Sequence, residues 1–310
     1  MTNNISLGTF NPLDSLKTYY RISIDYDDDY FTSLDDVAKE VMHHKNEFAD
    51  KTFLCCCHDD ISAFGEFFMS HFADLNLKKL ILTGYTTEYR AQDMVIEMTK
   101  KGTATFSSIS TKGSWAEFVG DADIVVTNPP AYMAALMVTH LSRIGKKFLL
   151  IADLNTAMYS TVFPFIVTNE VWLGVTRPSK FYRGAKGYVT SDKPVRFGNK
   201  VWLTNLENDI SRQSLTLTQR FHDPENAGRY LLVDDTDILW VSRVKDIPID
   251  WAGKMAVPIN YLQVHDPLQF EIVGEVNHGK DNIYDIAKPI VNGEMKYKHV
   301  VIRPTKPLDE

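Results

Sequence analysis

Hydrophobic and polar positions along the chain change period several times, and each change marks an element. From Ser33, SLDDVAKEVMHHKNEF spaces its apolar residues at helical intervals. Ser33 is placed to cap free amides, and Asp35 and Asp36 fall in the first turn, where acids suit the positive end of a helix. TFLCCC follows as a short apolar strand. SAFGEFFMSHFADL puts Phe64, Phe67, Phe68, Phe72 and Leu75 on one helical face, and KKLILTGYT is another apolar run closed by a turn. Beyond it, EYRAQDMVIEMTKKG reads as a helix, TATFSSI and DIVVTNPP as strands, AYMAALMVTHLSRIG as a helix and KKFLLIADL as a strand. Alternation of buried strands and helices over roughly 180 residues predicts an α/β fold, a mostly parallel sheet with helices on both faces. After about Asn205 the alternation gives way to shorter β-like runs, RYLLVDD, ILWVSRV, FEIVGEV and KHVVIRP. Residues 1–205 are therefore expected to form the main domain and 206–310 a smaller accessory or recognition region.

Composition narrows the class. The 310 residues are 44% apolar and 24% charged, and no apolar run approaches the roughly 18 residues that a membrane span needs. A globular protein with no membrane partner is expected. The start, MTNNISLGTFNPLDSL, lacks a basic stretch followed by an apolar block, so a cytoplasmic location is the expectation. Cys55, Cys56 and Cys57 are consecutive, a spacing that serves neither a disulfide framework nor a zinc site, and they read as small core residues of a buried strand.

The formal charge of -7 hides an uneven distribution. IDYDDDYFTSLDD concentrates acids, whereas TRPSKFYRGAKGYVTSDKPVRFGNK carries Arg177, Lys180, Arg183, Lys186, Lys193, Arg196 and Lys200 against Asp192 alone. Loops of this kind are often only solvated, but Phe181, Tyr182, Tyr188 and Phe197 interleave with the cations, a combination suited to phosphates and base stacking.

Ligands of α/β sheets bind beyond the carboxyl ends of the strands. Those ends read CHDD, TGYT, TNPP and ADLN. In TNPP the two prolines fix their own φ angles, bias Asn128 toward an extended backbone and offer no amide hydrogen. The asparagine carboxamide oxygen and nearby carbonyls are left as rigid acceptors. They suit an exocyclic amine, whose lone pair is drawn out of conjugation by hydrogen bonds from its NH2 as it attacks an electrophilic methyl group. The plain alternative is a strand-terminating turn.

DDYFTSLDDV, CCCHDDISAF, LKKLILTGY, DADIVVTNPP, MAVPINYLQVHDPLQFEIVG and GEMKYKHVVIRP together resemble the EcoRI-type adenine-specific DNA methyltransferases, over most of the chain. The resemblance implies a Rossmann-like S-adenosylmethionine-dependent methyltransferase fold with 1–205 as its catalytic domain, and transfer of a methyl group to a flipped adenine N6 in DNA. It implies that Asn128, Pro129 and Pro130 grip the target amine. Tyr30, Phe31 and Thr32 match the segment that contacts the methionine part of the cofactor. His58, Asp59, Asp60 and Ser62 fall on the turn where a glycine-rich cofactor loop is usual, and Thr83 falls where ribose or adenine is expected. His58 to Asp60 also read as a helix-capping turn, and no metal site is indicated. A monomer in a bacterial or phage-infected cell is implied. Arg177, Lys180, Arg183, Lys186, Lys193 and Arg196 become candidate DNA contacts.

The motif departs from the family pattern at Ala131, where an aromatic normally stacks on the flipped base, a contact worth about 1 to 3 kcal/mol. Three readings follow: stacking by Tyr132 or by an aromatic of the basic segment, a different amine such as one in RNA, or a catalytically silent module that binds nucleic acid or protein.

Overall fold

The computed structural model describes residues 29–56, 62–85, 93–108, 115–185, 188–209, 214–226, 228–278 and 283–306. In chain order the elements are β1 (Asp29–Thr32), α1 (Leu34–Met42), β2 (Thr52–Cys56), α2 (Ala63–Ser70), β3 (Lys79–Tyr85), β4 (Asp93–Thr99), β5 (Gly102–Ser108), α3 (Trp115–Phe118), β6 (Ile124–Thr127), α4 (Ala131–Arg143), β7 (Lys147–Asp153), α5 (Phe163–Val167), β8 (Trp172–Leu173), β9 (Phe181–Ala185), β10 (Tyr188–Val195) and β11 (Lys200–Thr204). Eight further strands follow: β12 (Leu231–Leu232), β13 (Leu239–Trp240), β14 (Met255–Pro258), β15 (Phe270–Val276), β16 (Asp285–Ala287), β17 (Ile290–Val291), β18 (Glu294–Met295) and β19 (His299–Pro304). The chain divides into two compact units, one of residues 1–129, 143–147 and 178–198, the other of 130–142, 148–177 and 199–310.

In the first unit five strands lie in the order β5-β4-β3-β2-β6. β2 runs parallel to both β3 and β6, and the inner strands are apolar throughout because both faces are covered: Phe53, Leu54, Cys55, Ile124, Val125 and Val126 are all buried. Cys55 and the half-buried Cys56 thus take the core role expected of them, while Cys57 lies outside the described residues. α2 covers this sheet through aromatic rings. Phe68 meets Phe53 at 4.8 Å and Phe67 at 5.3 Å, and Phe48 meets Phe53 edge-on at 4.9 Å. Ser33 and Ser62 cap α1 and α2, their hydroxyl oxygens accepting from the amides of Asp36 (3.2 Å) and Gly65 (3.1 Å).

Two expectations need correction. EYRAQDMVIEMTKKG does not form a helix over its second half: Asp93–Thr99 is β4, antiparallel to β3 over seven residue pairs from Lys79↔Thr99 to Tyr85↔Asp93. Helix formers around Met94, Glu97 and Met98 are overridden by the ladder and by burial of β-branched Val95 and Ile96. The KKG that resembles a helix end is a hairpin turn into β5, where Gly102 takes a φ of +137° that a side chain would oppose. The sheet of the first unit is consequently mixed rather than mostly parallel, since β4 pairs antiparallel with both β3 and β5; in the second unit β11 likewise pairs antiparallel with β7 and β8.

The second unit contains α4, with Met133, Ala134, Met137, Val138 and Leu141 buried, and the β-like runs read in the C-terminal part of the sequence. Those runs assemble into one sheet, order β12-β13-β14-β19-β15-β16, over a core of Val233, Ile238, Trp240, Ala256, Val276, Val291 and Val301. The β15–β19 register shifts between Ile272 and Gly274, and only glycine fits the bulge, because a Cβ at 274 would lie 2.5 Å from the Tyr284 carbonyl.

His299 stacks on Trp240 with ring centroids 3.8 Å apart, and its burial pushes the imidazole pKa down to about 4 from 6.5. The folded state keeps this ring neutral, whereas the unfolded chain protonates it near 6.5. Stability is therefore complete above about pH 6.5 and falls as pH drops toward about 4, by about 2 kcal/mol between pH 7 and pH 5. Urea unfolding at those two pH values should show this loss shrinking in His299→Gln, and an undiminished loss would contradict the assignment.

Candidate functional site

The carboxyl ends of β3, β2 and β6 come together in register, Cys56 beside Thr83 and Cys55 beside Val126. At the end of β6 the Thr127 hydroxyl donates to the Cys56 carbonyl, a short bond that ties the last turn of β6 to β2. The next residue is the half-buried Asn128, followed by a buried Pro129 and an exposed Pro130. Asn128 Nδ2 donates to the carbonyl oxygen of Tyr30 in β1, at 3.1 Å. This contact fixes which way the amide faces. With its nitrogen engaged, Oδ1 accepts no hydrogen bond from the described residues and remains available to a donor.

β1 belongs to a second, three-stranded sheet of the same unit, order β1-β9-β10. Its register against β9 is Tyr30↔Arg183, Phe31↔Tyr182 and Thr32↔Phe181. The Tyr30 ring packs edge-on against Phe197 at 4.9 Å. Thr32 is 7% exposed, and its hydroxyl has no hydrogen-bond partner among the described residues. A buried hydroxyl left so is costly unless a ligand satisfies it, which makes Thr32 a fitting contact for a polar cofactor.

The structure thus joins Asn128 to Tyr30 directly and sets Thr83 beside the end of β2. Ser62 is committed to capping α2. His58, Asp59 and Asp60 lie outside the described residues. Tyr132, on the first turn of α4, is 44% exposed.

Among the basic residues, Lys180 reaches Asp35 at 3.5 Å, and Asp35 also pairs with Lys39 at 2.8 Å. The Lys39 hydrogen bond, helped by the charges of Lys39 and Lys180, holds the Asp35 carboxyl below its usual range against the opposing cost of desolvation. Arg183 is exposed on β9, Lys193 on β10 and Arg196 just after it, while Lys186 lies outside the described residues. Arg177 is exposed and its Nε donates to Gln263 at 3.3 Å. Of the interleaved aromatics, Phe181 is 1% exposed and belongs to the core, and the half-buried Phe197 makes edge contacts with Phe181 at 5.3 Å and Tyr30 at 4.9 Å. Two long-range contacts have no local signal in the sequence, that of the Tyr30 carbonyl with Asn128 and that of Asp36 with Ser179, which span 98 and 143 positions. Two surface cavities, along residues 230–238 and 171–175, include none of the expected site residues.

A family described as adenine-specific methyltransferase EcoRI matches residues 19–116 and 111–305. The chain belongs to this EcoRI-type adenine-specific methyltransferase family. It is 30% identical to the Type II methyltransferase M.EcoRI of Escherichia coli over 317 residues, covering 89% of this chain and 93% of that protein. It is similarly related to M.MgeORF184P of Mycoplasma genitalium, at 30% identity with 89% and 95% covered, and to M.MpnI of Mycoplasma pneumoniae, at 29% with 89% and 94% covered. No solved structure matches. In this EcoRI-type chain Ala131 opens α4, where alanine is the best helix former, and presents no ring. Among the described residues no helix is long and apolar enough to cross a membrane, and no cluster could hold a metal ion.

Proposed function

We propose that this chain, a DNA adenine methyltransferase by family, transfers the methyl group of S-adenosylmethionine to the N6 amine of an adenine flipped out of duplex DNA. The observation that carries the reading is the Asn128 amide, turned by its bond to the Tyr30 carbonyl so that Oδ1 is left to accept an amine N–H. S-adenosylmethionine, when bound, supplies an electrophilic methyl on a sulfonium centre. Tyr30, Phe31, Thr32 and Thr83 are proposed to hold it, a role supported by the unsatisfied Thr32 hydroxyl and by the place of Thr83 at the strand ends. His58, Asp59 and Asp60, which lie outside the described residues, and Ser62, whose hydroxyl oxygen caps α2, are proposed cofactor contacts on the family resemblance. Asn128 and the prolines hold the amine, drawing its lone pair toward the attacking geometry. Tyr132 is the proposed stacking ring, its exposure fitting that role.

The Rossmann-like assignment, with 1–205 as catalytic and 206–310 as recognition domain, is part of the proposal, supported by the parallel β3-β2-β6 core and the wholly C-terminal sheet β12-β13-β14-β19-β15-β16. Arg177, Lys180, Arg183, Lys186, Lys193 and Arg196 are proposed to track the phosphates. Replacing Arg183 or Arg196 by alanine should then weaken binding to all sequences and lower the slope of log K against log salt by about one each. An unchanged slope would remove these residues from the interface.

Family membership weighs against a silent binding module. Purified protein incubated with methyl-labelled S-adenosylmethionine tests the proposal: label should enter duplex DNA. Label in RNA alone would transfer the activity to that substrate, and cofactor binding without label in either would overturn it.

A further inference from the structure

We propose that Asp36 is a positioning residue for the methyl-transfer site, setting the register of β1 against β9 and so choosing the carbonyl that orients Asn128. The inference rests on the reading of Asn128 given above. Asp36 is 5% exposed. Its Oδ2 accepts from the backbone amides of Ser179 at 2.8 Å and Lys180 at 2.7 Å, the two residues that lead into β9. The Ser33 amide in turn donates to the Lys180 carbonyl at 3.0 Å, and the Ser33 hydroxyl accepts from the Asp36 amide. These bonds form a closed ring joining the end of β1, the first turn of α1 and the start of β9.

That ring sits one residue from the pairing Thr32↔Phe181, from which Phe31↔Tyr182 and Tyr30↔Arg183 follow. β1 is only four residues long, and its partner β9 pairs on its other edge with β10 through a register shift between Val189 and Pro194. Short strands in small sheets specify register weakly, and a slip of one residue turns every side chain and carbonyl to the opposite side. A slip of β1 would replace the Tyr30 carbonyl at Asn128 by a neighbour facing away. The amide would lose its anchor and be free to rotate its nitrogen toward the substrate, where a donor is useless. A carboxylate is suited to the task because one charged oxygen can take two adjacent amides at short distance. The same ring holds Lys180, the residue before β9, so the start of the proposed DNA-contacting strand and the amide anchor are held by one group.

Three variants test the proposal. Asp36→Asn keeps an oxygen at the same place, Asp36→Glu keeps the charge but moves it by a methylene, and Asp36→Ala removes both. Single-turnover transfer at saturating DNA and cofactor should fall at least about tenfold in Asp36→Ala and Asp36→Glu and stay within about threefold of wild type in Asp36→Asn. Hydrogen exchange, read without cofactor or DNA, should speed up over residues 30–33 and 179–184 in the first two variants only. Should Asp36→Ala not fold, Asp36→Glu carries both readouts. Unchanged exchange and unchanged rates per folded molecule would overturn the proposal, as would an Asp36→Asn variant as impaired as Asp36→Ala. Absence of methylation by the wild-type protein would instead strike the functional reading, and the exchange data would still decide the role of Asp36 in the register.

Discussion

Replacing Asn128 by alanine is expected to lower single-turnover methyl transfer by about 10²- to 10³-fold, the usual cost of deleting a preorganised polar contact to the reacting group. Its Oδ1 is the acceptor left open beside the strand ends, and its nitrogen is committed to the Tyr30 carbonyl. Cofactor affinity measured by calorimetry should change little, because the proposed cofactor contacts come from Tyr30, Phe31, Thr32 and Thr83. Asn128→Asp is informative as well. A carboxylate retains acceptors but loses the donor to Tyr30 O, so it would face that carbonyl with repulsion and should be nearly as inactive as alanine. Equal loss of cofactor binding and transfer would show Asn128 to be a structural residue instead.

Phe68→Ala is expected to have the largest effect on stability, a loss of about 3 to 5 kcal/mol in denaturant unfolding. The ring is completely buried among Phe48, Phe53 and Phe67, at centroid distances of 6.3, 4.8 and 5.3 Å, and joins α2 to the parallel strands that carry the site. Removing it leaves a cavity walled by rigid aromatic groups that collapse poorly, in addition to the lost burial. Phe68→Leu should recover more than half of the loss. A variant that unfolds like wild type would mean that α2 does not depend on this cluster.

What the sequence discloses is what acts over a few residues. Ser33 and Ser62 are legible as caps because the oxygen and the amide it satisfies are three positions apart. β2 and β6 are legible because burial on both faces leaves continuous apolar runs in TFLC and IVVT. Asn128 is legible as an acceptor because two prolines restrict its neighbourhood.

β4 is not legible, since MVIEM suits either period and the decision is made by pairing with β3, the preceding strand. The same limit hides the site's supports. Asp36 reads as an ordinary first-turn acid, yet its carboxylate is spent on Ser179 and Lys180, and no local pattern marks a carboxylate that satisfies distant backbone amides. Phe181 reads as a ring free to stack because it alternates with cations. Phe181 and Arg183 are two positions apart and share one face of β9, so alternation does not separate them: Phe181 lies in the core and Arg183 is exposed.

The substitution of Ala131 for the family's aromatic follows the same logic in reverse. It is obvious in the sequence, and the structure gives it a local use as the first residue of α4. Under the proposed function the stacking ring then comes from elsewhere, and Phe181 is held in the core while Tyr132 is exposed. Tyr132→Ala is accordingly expected to weaken transfer by about 10-fold or more, consistent with a stacking contact of about 1 to 3 kcal/mol, while Tyr132→Phe retains activity.

The central claim is that the amine held by Asn128 is the N6 of adenine in DNA. Its most direct test is to incubate the wild-type protein with S-adenosylmethionine and duplex DNA of mixed sequence, digest the DNA to nucleosides and identify the methylated product by mass. N6-methyladenine is expected, formed about 10²- to 10³-fold more slowly with Asn128→Ala. N4-methylcytosine, or DNA without any methylated nucleoside under conditions where the cofactor binds, would contradict it.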